Sequence, residues 1–347
     1  MAIDEVIFLG AGASAADGAP IQSRLFNDYF ANGPHRDAIG NSLSQFFMDF
    51  FGIDTANHPN INFPTFEEIL GILELSINRN ESFKNYPLIP QTPKIQNIRE
   101  QLIFLIAKIL KSKLENNRVN HDALVHRLKS RSLLKKTAFI SLNYDILIDN
   151  ALTDIHDFMD LGYGVNFTNF DMQGEWRWHK PGQNRTINLF KLHGSLNWLY
   201  CPTCVSLTIT PKEKTVSTMA EEPIPCRSCQ TQMIPIIIPP TFFKVMSNHF
   251  LQQIWREAEQ TLMATKRIVF CGYSFPDADV HIKYLLKRVE VNRGTTPEIY
   301  IINNHDGKED NIKEQEKERY ERFFSDKGKI HYLEMSFQQF CQNGVRP

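Results

Sequence analysis

The sequence is short of several things, and each shortage removes a class of protein. Six cysteines in 347 residues are too few for a disulfide scaffold. No window approaches the roughly 18 consecutive apolar residues that a membrane span needs. Neither sign of charge dominates: 38 Lys+Arg stand against 39 Asp+Glu, for a formal net charge of −1. That balance gives no footprint for nucleic acid or an anionic membrane surface. The opening Met1-Ala2-Ile3-Asp4-Glu5 carries acids where a secretory signal carries basic residues. Internal repeats and low-complexity tracts are missing as well. What remains is an ordinary globular composition, 42% hydrophobic and 22% charged, enough for one large domain or two small ones. Four of the cysteines fall in paired C-x-x-C units, so a reduced, cytoplasmic compartment and one metal site are expected.

Short β-branched runs recur along the chain: Glu5–Leu9, Thr137–Leu142, Ile187–Leu192, Ile234–Ile238, Arg267–Cys271 and Glu298–Ile302. Continuous apolar runs of this length predict strands buried on both faces, as in a parallel sheet. Most alternate with helical patterns, which predicts an α/β doubly wound, Rossmann-like fold. Thr65-Phe66-Glu67-Glu68 is a capping box ahead of an apolar run to Ile77. The segment Ile98–Leu114 carries Ile98, Leu102, Leu105, Ile106, Ile109 and Leu110 on one helical face. Residues 279–291 place Val280, Tyr284 and Leu285 in the same way.

These patterns divide the chain. Residues 1–35, 131–199 and 233–347 form the expected Rossmann-like domain. Residues 36–130 read as a helical insertion holding a Pro- and Asn-rich loop at 79–96, and residues 200–232 as a small cysteine module. The charge run at 306–319 reads as a solvated helix or loop.

Five motifs carry chemistry. Gly10-Ala11-Gly12-Ala13-Ser14 follows the first strand and precedes a helix; such a turn lets the backbone approach a pyrophosphate and offers it amides. The strict G-x-G-x-x-G pattern is not met, because Ala15 takes the last glycine's place. Asn143-Tyr144-Asp145 and His193-Gly194-Ser195 each stand at a strand's carboxyl end, where doubly wound sheets bind ligands. Histidine exchanges a proton near neutral pH. Gly272-Tyr273-Ser274 and Asn303-Asn304 end two later strands and are placed to meet the adenosine half of a dinucleotide. Cys201, Cys204, Cys226 and Cys229 supply four thiolates, a closed tetrahedral set that suits structural zinc. Each motif has a plainer reading: a glycine turn without ligand, a capping Asn or Asp, a core histidine.

In order along the chain, the five motifs together resemble the sirtuin family: a Gly-Ala-Gly-x-Ser loop, Asn-x-Asp, His-Gly, four zinc cysteines, Gly-x-Ser and a late Asn. Some places depart from the deacylase pattern. Pro20 is followed by Ile21 and then Arg24 without the usual Phe, Leu142 replaces Gln, and Ile238-Pro239-Pro240-Thr241-Phe242-Phe243-Lys244 follows the cysteines. The Phe275-Pro276-Asp277-Ala278-Asp279 run also differs. These variants are similar to a divergent bacterial sirtuin-like group that includes NAD-consuming anti-phage proteins.

The resemblance implies NAD as substrate. It implies Asn143, His193 and Asp145 as the catalytic set, and Gly10, Ala11, Gly12, Ser14, Gly272, Ser274 and Asn303 as cofactor contacts. An NAD glycohydrolase, with water as nucleophile, is the leading expectation. A protein lysine deacylase and a non-catalytic NAD or ADP-ribose sensor stay open beside it. A free NADase would harm its own cell, so gating is expected. A homo-oligomer, the insertion covering the site, or a ring-shaped ATPase partner taken from family analogy would supply it.

Overall fold

Seven short runs assemble edge to edge into one parallel sheet, with helices on both faces. The computed structural model describes residues 3–21, 24–30, 37–56, 61–88, 94–114, 118–155, 161–169, 177–179, 187–209, 224–237, 248–305 and 309–345. In chain order the first elements are β1 (Glu5–Leu9), α1 (Ala11–Ala15), α2 (Leu25–Phe30), α3 (Ala38–Phe51), α4 (Phe66–Arg79), α5 (Lys94–Leu114) and α6 (Val119–Ser130). Then follow β2 (Thr137–Ser141), α7 (Leu147–Ile155), β3 (Leu161–Gly162), β4 (Phe167–Asn169), β5 (Arg177–His179), β6 (Ile187–Lys191), β7 (Gly194–Cys201), β8 (Ser206–Ile209) and β9 (Ile234–Ile237). The last are α8 (His249–Ala264), β10 (Arg267–Cys271), α9 (Val280–Arg293), β11 (Glu298–Asn303), α10 (Asp310–Phe323), β12 (Ile330–Glu334) and α11 (Phe337–Asn343). Among the described residues no helix is long and apolar enough to cross a membrane.

The large sheet runs β12-β11-β10-β1-β2-β6-β3, and every pairing in it is parallel. From β1 the chain works outward through β2 and β6, then returns to β1's other side with β10, β11 and β12. The order therefore reverses between β1 and β10, the place where doubly wound sheets open a crevice beyond their strand ends. β1 and β2 are buried along their whole length, as continuous apolar runs require.

A second sheet, β5-β4-β8-β7-β9, is mostly antiparallel and was not foreseen. The run at Ile234–Ile238 belongs here as β9, paired antiparallel to β7, and not to the parallel sheet; residue 238 lies outside the described residues. The chain crosses between sheets at the corner Leu192-His193. Gly194 takes φ +82° there, and a Cβ on it would stand 1.9 Å from the Ile236 carbonyl oxygen. Only glycine lets β7 start so close to β9.

Two apolar cores result. The first surrounds the large sheet and includes Leu124, Val125 and Leu128 of α6, although the sequence places that helix in the insertion. The second gathers α2–α5 around a nest of aromatic rings. Phe26–Phe47 and Phe47–Phe63 centroids both stand 4.9 Å apart, a favourable edge-on range. Leu196, Leu199, Cys201, Cys226 and Met233, from β7 and the cysteine module, complete this second core. The predicted α5 stripe from Ile98 to Leu110 is buried in it. α4 begins with the expected capping box, Thr65 and Glu68 each bonding the other's backbone amide.

Two helix readings change. On α9 the buried stripe is Ile282, Leu285, Leu286 and Val289, the i, i+3, i+4, i+7 set. Val280 and Tyr284 are 48% and 61% exposed, because they lie off that stripe. The charge run at 306–319 forms most of α10, apart from residues 306–308, which lie outside the described residues. It is more than a solvated face: Glu316 is buried against the ends of β11 and β12, where it accepts from Asn303 and Tyr332.

Candidate functional site

At the reversal point the strand ends lock together. The Gly10 amide donates to the Cys271 carbonyl and the Gly12 amide to Gly272, both at 2.9 Å. Gly272 sits at φ +62°, and a Cβ there would meet the Ala13 nitrogen at 2.2 Å. The glycines of the first turn and of the β10 turn thus serve each other's packing. Gly10 still borders the cleft, but Gly12 faces Gly272.

Beside this contact a side-chain chain runs across the cleft floor. The Asn143 amide Nδ2 donates to the Gly10 carbonyl (2.9 Å) and to Ser14 Oγ (2.7 Å). Ser14 Oγ in turn donates to Asp145 Oδ2 at 2.6 Å. Asp145 Oδ1 accepts the Leu147 amide at the start of α7. Both Asn143 amide protons are thereby spent, and its Oδ1 is the part of the side chain suited to accept from a ligand. Asp145 acts here through Ser14 and α7, and the Ser14 hydroxyl lies within this chain.

His193 comes in from the end of β6. Its Nδ1 stands 3.1 Å from the Leu142 carbonyl oxygen. A carbonyl can only accept, so Nδ1 carries the proton and Nε2 is the basic nitrogen. The ring is buried, 5% exposed, and its centroid lies 6.4 Å from that of Tyr144.

These groups border a cavity of about 310 Å³, at the lower end of the range for small-molecule sites. One wall is the sheet side: Gly10, Ala11, Ser14, Asn143, Tyr144, Asp145, His193, Gly272 and Ser274. The other comes from the helical segment: Leu25, Phe66, Glu67, Ile106 and Leu110. Burial pushes the Tyr144 and Tyr273 phenols well above their ordinary range, and the charges of Asp279 and Glu67 add to it. Tyr273 donates to Asp279 Oδ2 at 2.9 Å. The phenols stay protonated and the cleft's charged groups there are carboxylates.

The four cysteines converge about the β7–β8 turn and its neighbour strand. Their sulfurs all lie within 4.8 Å of one another, with Cys201–Cys229 at 3.5 Å and Cys226–Cys204 at 3.9 Å. Zinc–sulfur bonds of about 2.3 Å put tetrahedral sulfurs about 3.8 Å apart, so the set fits a zinc ion. Hydrogen bonds from Thr231 pull the Cys229 thiol down to about 6, while its neighbour Cys229 pushes Cys204 up to about 12. Sulfurs crowded this closely share protons, and a dication in their midst replaces those protons.

The structure brings most of the sequence-nominated residues together. Asn143, Asp145, His193, Gly10, Ala11, Ser14, Gly272 and Ser274 share one cavity. Asn303 does not join them: its amide donates to the Tyr273 carbonyl and to Glu316, behind the β10 turn. Sequence reasoning allowed for the insertion to cover the site but did not single out Phe66, Glu67, Ile106 and Leu110 as its lining. Only the capping box at Thr65 marked the place, and it signals a helix start, not a ligand. The stretch 238–244 lies outside the described residues.

No curated protein matches the sequence. Similar solved structures include a Sir2 homologue in complex with ADP-ribose: 15% identity, TM-score 0.47, covering 99% of this chain and 90% of that one. A structure of a Sir2 enzyme gives 14%, 0.45, 99% and 91%, and Sir2Tm bound to a propionylated peptide gives 14%, 0.42, 98% and 90%. The family model described as SIR2-like domain matches residues 137–327. With more than half of its length so matched, the chain belongs to the SIR2-like domain family.

Proposed function

We propose that this protein is an NAD glycohydrolase, cleaving NAD to nicotinamide and ADP-ribose. The observation that carries the reading is that Asn143, with its amide protons spent, and His193, with Nε2 its basic nitrogen, line one cavity at the sheet's reversal point. In this reading a water oxygen attacks C1′ of the nicotinamide ribose as the C1′–N bond breaks. The bonding pair returns to the ring nitrogen, so nicotinamide leaves neutral, through an oxocarbenium-like state. Asn143 Oδ1 orients the water, and His193 Nε2 takes its proton. The Gly10–Ser14 turn and the β10 turn at Gly272–Ser274 border the diphosphate. Pro20 is followed by Ile21 and then Arg24, without the Phe that the deacylase pattern carries there, and this favours hydrolysis over deacylation.

Zinc in the four-cysteine set has a structural part, since four thiolates leave no open position for a substrate. Activity is gated, because an open NADase depletes its own cell. The sirtuin-like resemblance points to an effector of anti-phage defence gated by self-assembly or by a ring-shaped ATPase partner.

The test is product analysis of pure protein with NAD. Free ADP-ribose and nicotinamide are expected. His193→Ala and Asn143→Ala should each fold, keep their metal and lose at least about a hundredfold in turnover. O-acyl-ADP-ribose formed only with an acyl-lysine peptide makes the protein a deacylase. Binding of NAD without turnover in any condition makes it a sensor.

A further inference from the structure

The turn that carries Asn143 is held by its carbonyls: that of Asn143 takes the Ser141 hydroxyl at 3.5 Å, and the other holding groups come from the β6–β7 segment. Ser141 O accepts the Leu192 amide at 3.1 Å and Tyr144 O the Leu196 amide at 2.9 Å. Leu142 O accepts His193 Nδ1 at 3.1 Å. Asp145 O is served differently. It lies past the end of β2 and before the α7 ladder, whose first acceptor is Ile146 O, bonded by the Asn150 amide at 3.0 Å. Among the described residues no backbone amide donates to it. Lys191 Nζ does.

Lys191 is an unusual choice for the end of a buried strand. Its side chain is wholly buried, as is that of Asp149, whose Oδ2 it meets at 3.1 Å. Asp149 Oδ1 accepts the Tyr163 hydroxyl at 2.6 Å. Taking an ammonium and a carboxylate out of water is expensive, and an apolar pair of like volume is often as stable. An apolar residue, however, has no donor for the Asp145 carbonyl.

We infer that Lys191 is a positioning residue. By tying the Asp145 carbonyl to β6, it sets the Asn143–Asp145 turn against His193, two residues further along the same segment. Asp149 and Tyr163 hold the ammonium in place, and the ion pair serves that end.

Two variants separate this role from simple charge balance. Lys191→Met with Asp149→Asn removes both charges and leaves Tyr163 an acceptor. Its melting temperature should recover most of what Lys191→Met alone loses. Amide exchange at residues 143–147 should still quicken at least about tenfold while β2 and β6 stay protected. Its kcat for NAD cleavage should fall about tenfold to a hundredfold with KM near wild type, the scale of a displaced catalytic group. Asp149→Asn alone keeps Lys191 on the Asp145 carbonyl. It should lower the melting temperature yet leave the turn protected. Wild-type protection and kcat in the double variant overturn the inference. Equal loss of protection at the turn in Asp149→Asn and in Lys191→Met overturns it too, and that comparison holds if the double variant does not fold. The kinetic arm rests on the proposed NAD cleavage and the exchange arm does not. A wild type that leaves NAD intact removes that reading and still lets exchange at 143–147 decide the part played by Lys191.

Discussion

The two apolar cores of this chain are made of different material. The first is β-branched strand, Val6-Ile7 against Ile268-Val269 on one side and Ala138-Phe139 on the other, in a ladder of parallel hydrogen bonds. The second is leucine, isoleucine and phenylalanine on helices, the 21-residue α5 foremost, and it is gathered from distant places: α2 and α3, α4 and α5, then β7 and the cysteine module. A sheet fixes its own geometry through the backbone. Packed helices do not fix their mutual positions in this way, and depend on tertiary contact. Cys201 and Cys226 are buried in the second core, so the metal set and that core are one structure. The cavity lies where the two halves meet, with the chemistry on the sheet side and the far wall on the helical side.

The largest effect should come from the metal. Cys226→Ser removes one of four thiolates from a closed site, and structural zinc contributes about 10 kcal/mol or more of binding free energy to the folded state. The expected result is zinc near zero per chain by metal assay and a melt that splits in two. The second core goes early and the sheet persists. A single transition, merely shifted, would mean that the halves are one cooperative unit and the contrast between them is only compositional.

A charge placed in the second core should cost less, but more than anything comparable on the surface. Leu105 is completely buried on α5, one residue from Ile106 on the cavity wall. Leu105→Lys leaves an unpaired ammonium there and should destabilise by about 3–5 kcal/mol. ADP-ribose affinity should fall with it, because the wall at Ile106 and Leu110 goes too. Val291→Lys on the 68% exposed side of α9 should change stability by less than about 0.5 kcal/mol. Chemical denaturation and calorimetry of the two variants measure this difference. If Leu105→Lys binds ADP-ribose as wild type does, the helical wall is not part of the site.

The same contrast explains what could be read from the sequence. The strands β1, β2, β10 and β11 are mostly apolar runs and β6 is one broken by Asn188 and Lys191, and their glycine, asparagine and histidine ends fall in family order. The fold and the sheet side of the cleft are therefore local information. The second sheet is not: β7 begins Gly-Ser and buries Asn197, so no alternation or apolar run announces it. Which residues of the insertion line the cavity is invisible for another reason. Phe66, Ile106 and Leu110 have the apolar spacing of any core helix, and only tertiary packing turns them toward the strand ends. Asn303 shows the converse. It sits at a strand's end as expected, yet the buried Glu316 of α10 claims its amide, and a charge run gave no hint of a buried acid.

A smaller loss than that of Leu105→Lys is expected within the first half, where the glycine turn grips α6. Arg118, at the N-cap of α6, offers no side-chain cap. Asp17 supplies one from across the fold. Its Oδ1 accepts the Asn120 amide at 2.9 Å, and its Oδ2 accepts the His121 amide at 3.2 Å and meets His121 Nδ1 at 2.5 Å. Burial pushes this carboxyl up, but the hydrogen bonds from His121 and Asn120 outweigh it and hold the group below its ordinary value. A carboxyl depressed in the folded state contributes stability that is whole above its unfolded value, about pH 4. That contribution is lost as pH falls through the lower folded value. Asp17→Asn should therefore cost about 1 kcal/mol at pH 7, the scale of a lost helix cap. The gap to wild type should narrow below about pH 4, where the wild-type carboxylate takes up its proton. Denaturation at pH 7, 5 and 3 reads this directly. A gap of constant size at all three would show that the carboxylate's shape, and not its charge, holds α6 to the turn. The first half would then owe its cohesion to packing, as the second does.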